Sequence, residues 1–250
     1  MQIIDYDSIA EIYDIYVTTD FDISFFKNHI KFEHTKILEL TSGTGRLSIP
    51  LIESGANLTC VDISGNMLNV LERKLQSKRL TAKVVCKNIL NITYKEEFDY
   101  VIIPFQSFME FVGSENQSKV LNSVYEALVD SGKFICTMHN PEVRRKNVDG
   151  QLRIVGNYAT ENGNLIVSGF EKDGNPVVKR YQFFEKYSKQ GYLEAKRLLE
   201  MQFELIYENN FRKMAESAGF KIISLYGNYD ESEFNEKSSP VMIWILEKTK

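Results

Sequence analysis

Residues 37–62 read ILELTSGTGRLSIPLIESGANLTCVD, which divides into a strand, a turn of small residues, a helix and a second strand closing on an acid. The apolar run at 37–40 is short enough for a strand buried in a parallel sheet. At Ser42, Gly43, Thr44 and Gly45 the side chains shrink, so the backbone can bend sharply and a ligand can approach it. Leu47, Ile49, Leu51 and Ile52 predict a helix, with Pro50 inside it expected to cost one hydrogen bond and some bend. Gly55 ends that helix, and residues 58–61 predict the next strand. Asp62 then stands at a strand's carboxyl end, where a carboxylate can accept hydrogen bonds from a ribose diol.

Two ligand classes use such a turn. A dinucleotide site wants three glycines in the pattern G-x-G-x-x-G, the third packing helix against strand. Here Ser48 occupies the third position, so that fingerprint is incomplete. A ligand without phosphates needs only a close backbone wall. A tight strand-to-helix turn with no ligand is the plain structural alternative.

Length and composition narrow the class. A chain of 250 residues makes one large domain, or one domain with a sizeable insertion. The formal net charge of −4 gives no global electrostatic reason to expect nucleic acid. No stretch is long and apolar enough to span a membrane, and the opening MQIIDYDSIAEIYD is acidic and amphipathic rather than a signal peptide. Cys60, Cys86 and Cys136 all fall on strands expected to be central. Three cysteines without C-x-x-C spacing read as small core residues in a reducing, cytoplasmic setting rather than as disulfides or a zinc site.

The remaining elements follow from periodicity. Residues 6–17 predict a helix carrying Tyr6 and Tyr13, either packed in the core or lying over a cleft as a lid; residues 21–30 predict another. His29 and His34 lie in a polar connection and read as surface residues. Ser64 is a natural N-cap for a helix with Met67, Leu68, Leu71 and Leu75 inward. Residues 82–86 predict strand three, with Asn88 just beyond it as a turn residue or an adenine contact. Strand four at 98–103 runs into Pro104, Phe105, Gln106 and Phe108, at the sheet end where ligands bind. Ser114 and Gln117 suggest a capping box opening the next helix, and residues 133–138 a fifth strand ending at His139. Turn signals at 161–163, 173–175 and 189–191 then predict an antiparallel meander, its last segment placing Leu193, Ala195, Leu199, Met201, Phe203 and Leu205 on one face. Helix, strand, loop and strand close the chain.

Several motifs in register resemble those of class I S-adenosylmethionine-dependent methyltransferases over nearly the whole length. ELTSGTGR is similar to their first motif, an acidic residue followed by alternating glycines, with Thr41 where the first glycine stands. VDISGNML is similar to the acidic loop after strand two, KNIL to the adenine-contacting segment with Asn88 in place of an aspartate, and FDYVIIPFQSF to the segment after strand four. The resemblance implies a Rossmann-like α/β fold with a seven-stranded sheet, helices on both faces and a β-meander inserted before the last helix. It divides the chain into a cofactor-binding domain at 1–141 and 207–250, with a helical lid at 1–35, and an insertion at 142–206 covering the acceptor site. The implied cofactor is S-adenosylmethionine, with S-adenosylhomocysteine as product. The residues so assigned to it are Tyr13, Glu39, Thr41, Ser42, Gly43, Gly45, Arg46, Asp62, Ile63, Met67, Asn88, Ile89, Pro104, Phe105 and Gln106.

The opening YDSIAEIYD and the meander resemble small-molecule N-methyltransferases of the sugar-nucleotide amine type. That likeness makes Tyr6 an acceptor-side residue and implies in-line methyl transfer to an amine held above Phe105 and Phe108. His139 has an ordinary pKa suited to taking the amine's proton. No metal is implied, and a homodimer is left open. The alternatives are a methyltransferase-fold binding or regulatory protein without turnover, a nicotinamide oxidoreductase, and an RNA or peptide methyltransferase. The last draws on the basic runs Arg144-Arg145-Lys146 and Lys179-Arg180, which otherwise read as solvated faces diluted by nearby acids.

Overall fold

The computed structural model describes residues 4–172 and 175–249. A 3-10 turn at Tyr6–Ile9 leads into α1 (Ala10–Tyr16), followed by α2 (Ile23–His29). Strand and helix then alternate through β1 (Lys36–Leu40), α3 (Ser48–Glu53), β2 (Asn57–Asp62), α4 (Gly65–Lys78), β3 (Lys83–Cys86), β4 (Phe98–Ile103), α5 (Ser114–Ala127) and β5 (Leu128–His139). After the short α6 (Pro141–Arg144), strands β6 (Arg153–Thr160), β7 (Gly163–Lys172), β8 (Val177–Ser188) and β9 (Leu193–Glu204) form the meander. Helix α7 (Glu208–Ser217), β10 (Phe220–Tyr226) and β11 (Val241–Lys248) complete the fold.

Seven strands form one sheet in the order β10-β11-β5-β4-β1-β2-β3, and β6 to β9 form a second, antiparallel sheet. In the large sheet only β11 runs against its neighbours. This is the Rossmann-like architecture expected of the sequence. Its strands are buried on both faces, which is why they read as continuous apolar runs. Leu38, Leu40, Val101, Phe134 and Trp244 point to the side covered by α5 and α7. Ile37, Cys60, Ile102, Ile135 and Ile243 point to the other, with α2, α3 and α4. A third apolar cluster joins Ile9 and Ala10 of the N-terminal segment to Met67 and Val70 of α4 and to Leu165, Val167, Phe184 and Leu199 of the meander. The lid and the small sheet therefore share one core above the large sheet's edge.

Several local expectations need correction. Cys86 is exposed, because β3 is an edge strand and the cysteine stands at its end. Gly113, not Ser114, caps α5, and no side-chain cap bond forms there; instead the Gly113 N–H donates to the Glu204 carboxylate at 2.7 Å. Strand β5 starts at Leu128, five residues earlier than its apolar run, because Leu128 pairs with Phe98 before a register shift. His29 is not a surface residue: its ring stacks on Phe25 at 4.1 Å, and its Nδ1 lies 3.0 Å from the Phe25 carbonyl. His34 is exposed. On β9, Leu193 and Ala195 are exposed while Leu199 is buried, because the start of that strand runs past the body it packs on. The hairpin signal at residues 173–174 lies outside the described residues. Among the described residues no helix is long and apolar enough to cross a membrane.

One buried ion pair fixes the N-terminal segment to the first turn of the sheet. Asp22 is fully buried and accepts two hydrogen bonds of 2.6 Å from the Arg46 guanidinium, which also donates to the Thr19 carbonyl at 3.0 Å. Removing one partner strands the other charge in a poorly solvated place. Asp22→Ala should cost about 3–5 kcal/mol of unfolding free energy by urea denaturation, and Arg46→Met added to it should recover part of that loss.

Candidate active site

The carboxyl ends of β1, β2 and β4 converge under the N-terminal segment. The turn after β1 is held open by backbone geometry: Thr41, Gly43 and Gly45 all adopt positive φ, at 62°, 54° and 82°. Thr41 thus keeps the left-handed conformation of the glycine it replaces, at the strain such a conformation costs a β-branched residue. Its hydroxyl donates to the Leu40 carbonyl. The two glycines do different work. A side chain at Gly43 would meet nothing within 4 Å, whereas one at Gly45 would sit 2.3 Å from Leu71 Cδ1. Gly45 lets α4 pack against the turn; Gly43 leaves room for something else.

Asp62 links this turn to the end of β2. Its carboxylate accepts the Gly43 N–H at 2.8 Å and the Ser64 N–H at 2.9 Å. Burial pushes its carboxyl above the ordinary range, against those backbone donors. Nearby, the Ser42 hydroxyl is buried with no partner. Glu39 is buried below the turn, where the Ser48 hydroxyl donates to it at 2.6 Å, and burial raises its carboxyl to about 7. Ser48 therefore stands where a dinucleotide site keeps its third glycine because this chain satisfies a buried acid there.

The N-terminal segment clasps the same ground. Asp7 accepts from the Ser64 hydroxyl at 2.6 Å and the Asn66 N–H at 2.9 Å, at the start of α4. Asp14 accepts from the Thr44 hydroxyl at 2.7 Å and pairs with Lys74. Glu11 pairs with Arg73 at 2.6 Å. These acids recur at i, i+4 and i+7, so one stripe of the segment lies along α4. Sequence reading missed them, since their partners are remote in the chain.

Behind the clasp, the Tyr6 hydroxyl donates to Glu110 Oε1 at 2.8 Å and lies 3.8 Å from Met201 Sδ. Tyr13 packs edge-on against both Tyr6 and Tyr16, and Tyr16 leans on Phe184 at 5.1 Å. Burial raises the Tyr6 and Tyr13 phenols well above their ordinary values, so both stay protonated; Glu110, Arg46 and Asp62 all lie in the field of Tyr13. Burial, opposed by the Tyr6 bond, lifts Glu110 to about 7, with Asp62 adding to the rise. Glu110 was not singled out from the sequence. Its signal was an acid inside the apolar run FMEFV just beyond strand four.

The other sequence candidates are spread around this centre. Asn88, half-buried at the end of β3, spends its side-chain oxygen on the Leu90 N–H at 2.9 Å. Ile89 and Met67 are buried in the packed clusters, and Ile63 is exposed. Pro104 is buried. The Gln106 N–H donates to the Thr137 hydroxyl at 3.1 Å, and Phe105 and Gln106 both take positive φ, at 54° and 63°. Two expectations fail. Phe108 is fully buried with its ring edge-on to Phe211 at 5.2 Å, so it cannot form a floor for an acceptor. The Phe105 ring carries the Arg46 guanidinium 4.4 Å above it instead. His139 is a correction of another kind: burial, with Arg144 and Arg180 nearby, lowers it to about 3, leaving an imidazole too weakly basic to take an amine's proton.

These residues fit an adenosyl cofactor on local grounds: open space at Gly43, an unpartnered Ser42 hydroxyl, and a carboxylate at the end of β2. The comparisons agree with that reading. Residues 37–132 match the family described as a methyltransferase domain. Over that stretch the chain is similar to methyltransferase domains. The glycine/sarcosine N-methyltransferase of Aphanothece halophytica is 24% identical over 83% of this chain and 75% of its own length. Other curated methyltransferases match over shorter stretches, and this chain spans less than half of their length. An S-adenosylmethionine-dependent methyltransferase from Clostridium acetobutylicum superposes with a TM-score of 0.82 at 20% identity, covering 98% of this chain and 99% of that one. The sugar N-methyltransferase KedS8 of a Streptoalloteichus species gives 0.79 at 14% identity, covering 100% and 95%. At such identities the likeness to solved structures establishes the fold.

The two glycines separate by experiment. Gly45→Ala combines a left-handed strain of about 1–2 kcal/mol with overpacking against buried Leu71, so it should lower unfolding free energy by about 2–4 kcal/mol. Gly43→Ala should cost only the strain, about 1–2 kcal/mol. Parallel urea titrations check the order.

Proposed function

We propose that the chain is an S-adenosylmethionine-dependent methyltransferase acting on the amine nitrogen of a small molecule, with Glu110 as general base. The observation that carries this reading is a buried carboxylate placed between the lid and the end of β4, within the field of Asp62 and raised to about 7. The sugar and glycine/sarcosine N-methyltransferases among its relatives support nitrogen as the acceptor atom.

Asp62 would hold the ribose hydroxyls, the turn at 41–45 would lie against the methionine portion, and Asn88 with Ile89 would border the adenine. When bound, S-adenosylmethionine supplies an electrophilic methyl group on a sulfonium. The protein's own share is placement and proton transfer. Correct placement of two reactants lowers a barrier by about 7–11 kcal/mol, so little covalent machinery is required. An acceptor nitrogen attacks only through a free lone pair. With the cofactor in place, the acceptor nitrogen's surplus proton would pass to the Glu110 carboxylate as the nitrogen takes the methyl group. Tyr6, donating to Glu110 Oε1, orients that carboxylate. Tyr13, Tyr16 and the meander exclude water.

Glu110 accepts a proton only when ionised, so activity should rise with pH through about 7 and fall on the acid side. Glu110→Gln should reduce kcat about 100- to 10,000-fold and flatten that rise. Adenosylhomocysteine affinity should stay at the native value. A variant retaining native kcat with the same pH profile would remove Glu110 from the chemistry.

A further inference from the structure

Of the insertion's basic runs, Arg145, Lys146 and Lys179 are exposed, as a solvated face would have them, whereas Arg144 and Arg180 turn inward. Arg144 and Arg180 converge on Glu171, whose side chain is only 10% exposed; Arg144 pairs with its Oε1, and Arg180 Nε lies 3.9 Å from the same oxygen. The other oxygen, Glu171 Oε2, is buried without a partner. Arg153, tied to Asp149, lies in the same field. Two guanidiniums thus meet one carboxylate, leaving one positive charge in excess at Glu171.

Strand register connects this cluster to the lid. Arg180 pairs across the sheet with Glu171 on one side and Met201 on the other, so the three side chains share a face. On that face Gln182 and Phe184 continue β8 toward the lid, and Gln182 is buried. Met201 touches the Tyr6 hydroxyl, which bonds Glu110. A continuous path therefore runs from the proposed base, through Tyr6 and Met201, to Arg180. His139 at the end of β5 and Tyr16 of α1 both lie within the electrostatic reach of Arg180. Apart from the Glu171 contact, Arg180 makes no hydrogen bond or ion pair among the described residues, and its side chain is one-third exposed.

We propose that Arg180, backed by Arg144, is the anion subsite of the acceptor pocket, so that the acceptor is an amine carrying a carboxylate or phosphate. A guanidinium presents paired donors that match either group. Glu171 serves as a counter-ion that keeps both arginines in place and sets the strength of the site. This inference rests on the reading of the cleft as a methyltransferase site, but its test does not depend on turnover.

The experiment is calorimetric titration of the protein, saturated with adenosylhomocysteine, with inorganic phosphate and separately with acetate. Binding of either anion is expected, and the arm with the greater affinity tells phosphate from carboxylate. Arg180→Gln should weaken the preferred anion about ten-fold or more, Arg180→Lys less. Glu171→Gln should strengthen it, because the local excess of positive charge grows. A purely structural cluster predicts the same anion response in every variant, with stability alone reduced. Adenosylhomocysteine heat checks separately that each variant is folded and that the cofactor reading holds. Heat from adenosylhomocysteine with none from either anion would overturn the anion subsite alone, as would equal anion affinity in native protein and Arg180→Gln.

Discussion

Asp62 ties together the ends of two parallel strands, and the site depends on that tie. By accepting from Gly43 it fixes the turn after β1; by accepting from Ser64 it fixes the start of α4. Two backbone donors on one carboxylate favour its charged form, against the burial that raises its pKa. The bonds come from the turn and the helix start, which means that the same contacts shape the cleft wall and prepare the group expected to meet a ligand. The left-handed residues of the turn and the Glu39–Ser48 bond beneath it belong to the same tight wall.

The lid adds a second layer. Asp7, Glu11 and Asp14 follow α4, and Asp14 reaches the motif turn itself through Thr44. Asp22 and Arg46 anchor the connection behind them. Packing of the N-terminal segment over the turn after β1 is therefore electrostatic along one stripe, and apolar where Ile9 and Ala10 meet α4 and the meander. The aromatic ladder from Tyr6 through Tyr13 and Tyr16 to Phe184 joins lid to small sheet, with its Tyr6 end bonded to Glu110.

Much of the large sheet was legible because its strands are buried on both faces and its turn needs glycines, and both constraints are written locally. Ser64 announced its cap, and the hairpin at 161–162 announced its turn. What failed depended on neighbours remote in sequence. Cys86 read as core because nothing local marks an edge strand, and Ser114 read as a cap because the distant Glu204 is invisible there. Phe108 and His139 were placed correctly along the chain, yet burial decides their chemistry: one ring is taken into the core, and one imidazole loses its basicity to desolvation and two arginines. Glu110 was hidden for the same reason, since only the meeting with Tyr6 turns an acid in an apolar run into a candidate base.

The central claim is that the turn at 41–45 and the carboxylate closing β2 together receive an adenosyl group. Isothermal titration of the native chain with S-adenosylhomocysteine, alongside Asp62→Asn checked for native folding by circular dichroism, tests it most directly. The account predicts saturable one-to-one heat for the native chain and at least about a ten-fold weaker constant for the variant, the loss of one charge-assisted bond. Absence of heat from the folded native chain, or an unchanged constant in the variant, would contradict it.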